Sequence, residues 1–243
     1  MVDKADNIYA SPLEKMVDFR FDERVADVFP DMIQRSVPGY GTLIANIGII
    51  AGHYARDDSD CFDLGCSLGA VTLSMRQRVK AANCRIIAID NSAAMIERAE
   101  RIMASDNNRV PVDLRHEDIK DSVIKNASVV VMNFTLQFIA PVQRDALIEK
   151  IYKGLRSGGV LIISEKLAFA DDSAQQLQQA LHLDFKRANG YSDLEISQKR
   201  NALEKVMIPE TAAAHHQRFE AAGFSQIEQW FQCFNFASFI AIK

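Results

Sequence analysis

Hydrophobic and polar residues alternate along most of this chain in a pattern that predicts strands separated by amphipathic helices. Short, almost fully apolar runs predict strands at 60–64, 84–90, 111–115, 128–133 and 159–165. Apolar residues at helical spacing predict helices at 42–55, 68–80, 92–104 and 141–156. Strands that alternate with helices form βαβ units, so the pattern predicts a parallel sheet with helices on both faces.

The pattern changes at several places, which define the predicted domain organisation. Residues 1–18 show no consistent apolar face and are expected to form a loose leader before a single domain at 19–243. The domain begins with a helical cover, which we expect to be interrupted at Pro30 because proline cannot donate a backbone hydrogen bond. Residues 171–207 have helical spacing without a strand, which predicts a helical insertion after the fifth strand, and a helix is expected at 209–222.

The C-terminal stretch predicts two strands joined by a tight turn, FSQIEQWFQCF and NFASFIAIK. An antiparallel hairpin at the end of a parallel sheet separates methyltransferase-type sheets from the Rossmann sheets of dehydrogenases. The predicted fold is therefore α/β: a doubly wound, mostly parallel, seven-stranded sheet of the class I methyltransferase type, with an antiparallel C-terminal hairpin.

Composition narrows the possible functions. Hydrophobic residues make up 48% of the chain, enough for a substantial core, and the formal net charge is -4. This charge gives no general attraction to phosphate backbones, so we expect no direct nucleic-acid binding. No apolar run suits a signal peptide or a membrane span, and the cysteines form no CxxC pair. We expect a cytoplasmic protein without membrane contact or disulfide framework.

A glycine-containing turn at the end of the first strand predicts a ligand site. The turn has the spacing Asp63-x-Gly65-x-Ser67-x-Gly69 and leads directly into a helix. Small residues let the backbone approach a ligand closely. The spacing differs from the GxGxxG of dinucleotide sites and suits a ligand without phosphates, such as S-adenosylmethionine. A strand-to-helix turn without any ligand is the alternative interpretation.

Polar residues at later strand ends extend the predicted site. Asp90 ends the second strand, where a carboxylate can accept hydrogen bonds from ribose hydroxyls; its alternative role is to cap the next helix. In His116-Glu117-Asp118-Ile119, after the third strand, one of the two acids can accept a hydrogen bond from an adenine amino group while Ile119 packs against the ring, although a charged loop is the commoner interpretation of this segment. Asn133 ends the fourth strand at the same edge of the sheet, where a turn-forming role is the alternative.

With these residues in place, the chain from about Phe19 to Lys243 resembles the carboxy-S-adenosylmethionine synthase family. The resemblance rests on FDERVADVFPDMIQRSVPGY, DLGCSLGA, IIAIDNSAAMIER, NFTLQF, DFKRANGYS, LEISQKR and WFQCFNF. It implies an enzyme that converts S-adenosylmethionine and prephenate to carboxy-S-adenosylmethionine and phenylpyruvate. It also implies a homodimer whose product passes to a separate enzyme that modifies tRNA wobble uridines.

The resemblance also implies which residues contact the ligand: Tyr40, Gly65, Cys66, Ser67, Asp90, Asn91, Asp118, Ile119, Asn133 and Arg200. In that family prephenate releases carbon dioxide and hydroxide. The hydroxide takes a proton from the methyl group of the sulfonium, and the resulting ylide attacks carbon dioxide without a metal. Arg200 is the predicted catalytic residue, because its planar guanidinium can bind both oxygens of the new carboxylate. Tyr40 is expected to close over the ligand near the sulfonium.

Other interpretations of these residues and of the function stay open at this point. Without the resemblance, Arg200 would be an ordinary surface arginine, and the basic residues of 184–205 would belong to a solvated or dimer-forming helix pair because acidic residues offset them. The histidines lack metal-ligand spacing, so we expect no metal. The rival functions are a methyltransferase that acts on a small molecule and a catalytically silent S-adenosylmethionine-binding partner of a tRNA-modifying enzyme.

Overall fold

Strands and helices alternate through most of the chain, of which the computed structural model describes residues 4–12, 18–108 and 110–243. The elements follow in the order α1 (Glu23–Ser36), α2 (Tyr40–Tyr54), β1 (Asp60–Leu64), α3 (Ala70–Arg78), β2 (Arg85–Asp90), α4 (Ala93–Ser105), β3 (Val112–His116), β4 (Ala127–Asn133), a short 3₁₀ helix (Leu136–Phe138), α5 (Pro141–Gly154), β5 (Leu155–Lys166), α6 (Asp172–Ala188), α7 (Asp193–Leu203), α8 (Ala212–Ala222), β6 (Gln226–Cys233) and β7 (Phe236–Ile242).

The strands form one seven-stranded sheet in the order β3-β2-β1-β4-β5-β7-β6. Neighbours among β1 to β5 are parallel, whereas β7 is antiparallel to both β5 and β6. The strand order reverses between β1 and β4, which leaves a crevice at their carboxyl ends where ligands of open α/β sheets bind. The arrangement confirms the predicted α/β fold class and the C-terminal hairpin.

Both faces of the sheet are covered because the central strands are apolar on both sides. In β4, Val130 and Met132 belong to the core on the side of α5 and α8, whereas Val129 and Val131 belong to the core on the side of α2 and α3. Side chains of a strand alternate between its faces, so an uninterrupted apolar run supplies both cores. The buried sheet therefore gives a rigid base to the crevice at its edge.

Several predicted boundaries shift by up to four residues, and two of the differences from the prediction have a clear physical cause. Helix α1 continues through Pro30, which lies inside it, because the buried Val28 and Met32 on either side still pack into the core. Helix α5 ends at Gly154 rather than at 156, and β5 begins at once. A Cβ atom at Gly154 would lie 2.4 Å from the carbonyl oxygen of Ile124, so only glycine allows this close approach.

The segment predicted as an insertion contains α6 and α7, and part of the predicted leader packs against it. Residues 1–3 and 13–17 of that leader lie outside the described residues. Asp6 is buried, forms an ion pair with Lys199 at 3.2 Å and accepts a hydrogen bond from Tyr191. The part of the predicted leader around Asp6 is packed rather than loose, since Asp6 neutralises a buried lysine. The division into a leader and one domain stays a prediction.

His215 on α8 is a buried histidine whose protonation makes the free energy of unfolding depend on pH. Its ring packs against Phe219 and Phe239, and neither ring nitrogen has a hydrogen-bond partner among the described residues. Burial is the main reason why the pKa of His215 is lowered to about 4. The unfolded chain takes up this proton near pH 6.5, whereas the folded protein does so only near pH 4. Protonation therefore favours the unfolded state increasingly as the pH falls through this window.

We expect His215→Phe to remove this loss of stability at low pH, because phenylalanine is similar in shape and does not titrate. Between pH 7.5 and pH 5, the variant should gain roughly 2 kcal/mol in the free energy of unfolding relative to the parent protein. Urea unfolding at the two pH values measures the gain, with His53→Gln on the exposed side of α2 as the control. A gain that is equal at both pH values would contradict the assignment.

Candidate functional site

A cleft of about 870 Å³ lies at the carboxyl ends of β1, β2 and β4, between the sheet, α1, α2 and the helices α6 and α7. The structure brings all of the ligand contacts predicted from the sequence to its wall: Tyr40, Gly65, Cys66, Ser67, Asp90, Asn91, Asp118, Ile119, Asn133 and Arg200. They come from separate parts of the chain and meet because parallel strands end at one edge of the sheet. Their ligand-binding roles stay predictions.

The turn after β1 holds its backbone against the sheet. The amide groups of Gly65 and Cys66 both donate hydrogen bonds to the carbonyl oxygen of Ile89, at 2.8 and 2.9 Å. Gly65 has a φ of 81°, and a Cβ atom there would lie 2.4 Å from the hydroxyl oxygen of Thr135. Glycine is therefore required at this position for both its conformation and its space. Ser67 also has a positive φ, 49°, which is uncommon for a residue with a side chain.

The carboxylate of Asp90 ties this turn to the next helix. Its Oδ2 atom accepts a hydrogen bond from the Ser67 amide and its Oδ1 atom accepts one from the Ser92 amide, each at 2.9 Å. Burial is the main cause that raises the pKa of Asp90. The cap of α4 is Ser92, whose hydroxyl accepts from Met95, so capping does not account for Asp90. Each carboxylate oxygen keeps acceptor capacity for the hydroxyl groups of a ligand.

The loops after β2 and β3 form the next part of the wall. The carbonyl oxygen of Asn91 lies 3.1 Å from the Nε2 atom of His116. Asp118 is half-buried, accepts a hydrogen bond from the Lys120 amide at 2.9 Å, and lies 3.3 Å from the Lys120 ammonium group. Ile119 is buried beside it and lines the cleft. A carboxylate next to an apolar side chain can accept from the amino group of a flat heterocycle and cover one of its faces.

Three residues that line this cleft have a buried oxygen atom without a hydrogen-bond partner among the described residues. The three atoms are the Oδ1 atoms of Asp63, on β1, of Asn133, at the end of β4, and of Asn235, between β6 and β7. The other carboxylate oxygen of Asp63 accepts from the hydroxyl of Thr72 at 2.6 Å, and burial is the main cause that raises the pKa of Asp63 to about 7. Buried acceptors without donors are uncommon, so this wall suits a ligand that brings its own donors, such as an ammonium group.

Tyr40 lies at the start of α2, on the same side as Asp63. Its side chain lines the cleft, and it follows Gly39, which has a φ of 73°. Burial and then the Asp63 carboxylate raise the pKa of Tyr40, so the phenol stays neutral. A neutral aromatic ring next to an acidic wall favours a cationic ligand.

Two acids that shape this site were not predicted from the sequence: Asp63 lines the cleft, whereas Glu165 does not line it and supports the 3₁₀ helix beside it. Asp63 belongs to the quoted turn pattern, so its position in that pattern was the available signal. Glu165 is an acid within the apolar strand β5, a pattern that reveals burial without revealing a partner. Its carboxylate accepts from the amides of Leu136 and Gln137, at 2.8 and 2.9 Å, which fixes the 3₁₀ helix beside the cleft. Burial is the main cause that raises the pKa of Glu165 to about 8.

Cationic side chains form another part of the cleft wall. Arg200 on α7 is exposed and has no carboxylate partner among the described residues, whereas Lys186 on α6 is buried. The expectation of a solvated helix pair is therefore wrong for Lys186 and Lys199, which are 9% and 5% exposed. These helices turn their lysines toward the cleft because the carboxyl edge of the sheet lies beneath them. Burial, followed by the charges of Lys199, Lys166 and Arg200, lowers the pKa of Lys186 to about 7.

No side-chain cluster with three or more His, Cys, Asp or Glu residues is placed to hold a metal ion within residues 4–12, 18–108 and 110–243. Within the same ranges, none of the helices combines the length and the apolar character needed to cross a bilayer.

Comparison with known sequences identifies close relatives over the whole chain. Residues 62–159 match the family described as methyltransferase domain. A protein of Geobacter metallireducens named carboxy-S-adenosyl-L-methionine synthase is 64% identical over 244 residues, covering 100% of both chains. A protein with the same name from Vibrio cholerae is 58% identical over 238 residues, covering 98% of this chain and 97% of its own.

Comparison with solved structures identifies the same fold at low sequence identity. Human N-acetylserotonin methyltransferase, in complex with SAM, has a TM-score of 0.62 and 16% identity, covering 91% of this chain and 55% of its own. A SAM-dependent methyltransferase from Methanosarcina mazei has a TM-score of 0.56 and 16% identity, covering 80% of this chain and 96% of its own. The fold is thus shared with methyltransferases of different lengths.

Proposed function

The chain belongs to the carboxy-S-adenosyl-L-methionine synthase family, and from this premise we propose that it converts S-adenosyl-L-methionine and prephenate to carboxy-S-adenosyl-L-methionine and phenylpyruvate. The observation that carries the proposal is the division of the cleft into an acidic wall and a cationic wall. The acidic wall contains Asp63, Asp90 and Asp118, and the cationic wall contains Lys166, Lys186 and Arg200. A sulfonium substrate with an ammonium group fits the first wall, and carboxylates fit the second. The family membership identifies an enzyme; the second substrate and its product are our proposal.

The acidic wall contains suitable partners for each part of S-adenosylmethionine. Asp90 would accept from the ribose hydroxyls, and Asp118 with Ile119 would hold the adenine. The unpartnered oxygens of Asp63 and Asn133 would accept from the ammonium group. This fit follows from buried acceptors that the described part of the chain leaves without donors. The positive φ angles of Gly65 and Ser67 keep the turn backbone close to the sheet, which leaves space for the nucleoside over the turn.

The proposed reaction makes one carbon-carbon bond and needs no external oxidant. Prephenate loses carbon dioxide and hydroxide and becomes phenylpyruvate. Hydroxide removes a proton from the sulfonium methyl group, forming water, and the electron pair left on that carbon forms the bond to carbon dioxide. The sulfonium charge makes the methyl protons acidic enough for this step. The protein's part is to bind both substrates, exclude water and stabilise the developing carboxylate.

Arg200 is the residue that we propose for the new carboxylate. It lines the cleft, and its guanidinium forms no ion pair with a carboxylate among the described residues. A planar guanidinium can donate two parallel hydrogen bonds to a carboxylate, a geometry that an ammonium group cannot reproduce. Because the carboxylate forms only during the reaction, this contact favours the product-like state over the substrate.

We further propose that the protein is a cytoplasmic homodimer and that its product is used by a separate enzyme for tRNA wobble uridine modification. The resemblance of the quoted motifs to the family supports these points. The net charge of -4 fits a role in which this chain makes the donor and another protein contacts the RNA.

The reaction is tested by incubating the purified protein with S-adenosylmethionine and prephenate. Mass spectrometry should detect a nucleoside heavier than the substrate by the mass of carbon dioxide, together with phenylpyruvate in equal amount. The ligand that copurifies with the protein should show the same added mass. Demethylated nucleoside without any carboxylated product would instead indicate an ordinary methyltransferase, and binding without turnover would indicate a silent partner protein.

The ribose contact is tested by Asp90→Asn, which keeps the size of the side chain and removes its charge. We expect the affinity for S-adenosylmethionine, measured by calorimetry, to fall roughly 10- to 100-fold, because charge-assisted hydrogen bonds contribute about 1.5–3 kcal/mol each. Asp113→Asn on the adjacent strand β3, outside the cleft, is the matched control and should bind normally. An unchanged affinity in Asp90→Asn, with its melting temperature preserved, would contradict the assignment.

The carboxylate contact is tested by Arg200→Lys, which keeps a positive charge and loses the planar fork. We expect formation of carboxylated product to fall about 10- to 100-fold, while the affinity for S-adenosylmethionine changes less than about threefold. Arg187→Lys is the matched control, since Arg187 lies on α6, pairs with Asp184 and Asp193, and does not line the cleft. Equal losses of product and of substrate affinity in Arg200→Lys would refute the carboxylate role.

A further inference from the structure

Two lysines in the cationic wall have no partner that would explain their burial. Lys166 is the last residue of β5 and is half-buried, and Lys186 on α6 is 9% exposed. Both line the cleft, and neither forms an ion pair with a carboxylate in the described part of the chain. A buried ammonium group without a counter-charge is costly, so an anionic ligand is the expected compensation.

Lys199, in the same region, is a structural lysine whose ammonium group has partners within the protein. Its ammonium group lies 3.2 Å from the carboxylate of Asp6 and 3.1 Å from the hydroxyl of Ser36. Its charge is neutralised within the protein, whereas the charges of Lys166 and Lys186 are not. The contrast separates a lysine that holds the fold together from lysines that remain available to a ligand.

Aromatic side chains lie beside the two lysines: Phe236 pairs with Lys166 across the β5–β7 ladder, and His182 lies one turn before Lys186 on α6. Phe134 and Phe236 line the cleft with ring centroids 5.7 Å apart in an edge-to-face arrangement. The ring of His182 lies 4.9 Å from that of Phe236, and its Nε2 atom lies 2.9 Å from the carbonyl oxygen of Ser36. Burial is the main cause that lowers the pKa of His182 to about 3, so this histidine adds an aromatic face and no charge.

We propose that Lys166 and Lys186 form the carboxylate-binding subsite for the second substrate, an unsaturated-ring dicarboxylate whose ring lies against Phe134 and Phe236. The inference rests on the proposed function and assigns the residues that recognise the acid consumed in that reaction. The lysines come from different elements, the end of β5 and α6, so each can bind one of two separated carboxylates. Two aromatic rings in the same cleft suit an apolar ring that carries those acids.

This subsite is separate in function from Arg200. Arg200 is exposed on α7 and would bind a carboxylate that does not exist until the reaction occurs. Lys166 and Lys186 are more buried and would bind carboxylates that the substrate brings with it. A ligand acid beside Lys186 would also favour its protonated form, because an opposite charge counteracts the burial and the neighbouring cations that lower its pKa to about 7.

The subsite is tested by direct binding without turnover. Protein saturated with S-adenosylhomocysteine, which has no methyl group to carboxylate, is titrated with prephenate in a calorimeter. Lys186→Met and Lys166→Met should each raise the Kd for prephenate at least tenfold and leave the affinity for S-adenosylhomocysteine within about twofold. Lys186→Arg should recover part of the prephenate affinity. Lys205→Met, on the exposed surface beyond α7 and outside the cleft, should bind both ligands normally.

The outcomes distinguish this inference from the proposed function. If the parent protein neither binds nor consumes prephenate, the proposed function fails together with the inference. If it consumes prephenate but both methionine variants keep its Kd, only the subsite assignment is overturned. Parallel loss of affinity for S-adenosylhomocysteine would also overturn it, since the lysines would then hold the nucleoside substrate. Methionine matches the length of lysine without its charge, so melting temperatures at or above that of the parent protein are expected.

Discussion

The cleft depends on one buried carboxylate, that of Asp90, which holds the turn after β1 against the start of α4. Each of its oxygens accepts one backbone amide, from Ser67 and from Ser92. The Ser67 backbone lies in the left-handed region, a conformation that costs about 1 kcal/mol or more outside glycine. A charge-assisted hydrogen bond of about 1.5–3 kcal/mol offsets that cost. The residue proposed to bind ribose therefore also shapes the surface on which the nucleoside would lie.

The two cleft walls have opposite charges because different secondary-structure elements supply them. Strand ends supply the acidic wall, where Asp63 and Asp90 lie on the sheet itself. The helices between β5 and α8 supply most of the cationic wall, including Lys186 and Arg200. The fold is shared with methyltransferases, whereas a second, cationic wall is what a carboxylate-handling reaction would require. The cations that we propose for this reaction come mostly from α6 and α7.

Local signals in the sequence were sufficient for most of the sheet and for the acidic wall apart from Asp63. The turn around Gly65 and the acid at Asp90 were predictable because residue spacing along a strand and its following turn fixes their relative positions. The burial of Lys186 was not predictable, since a helical pattern with balanced charges does not reveal which face meets the sheet edge. Asp6 was missed for a related reason: its partner Lys199 is remote in the chain, and no local pattern marks such a pair.

The cations of the cleft differ in exposure: the lysines are more buried than Arg200. This difference suits a reaction in which the second substrate binds before the new carboxylate forms. A carbon nucleophile next to a sulfonium is quenched by water, so the acid that supplies carbon dioxide must displace solvent before it reacts. Lys166 and Lys186, set beside the rings of Phe134 and Phe236, would bind that acid in the drier part of the cleft. Arg200 is weakly hydrated for a cation, and its exposed position costs little desolvation before the reaction. Its bidentate contact is completed only once the new carboxylate exists, so the binding energy acts on the step that forms the bond.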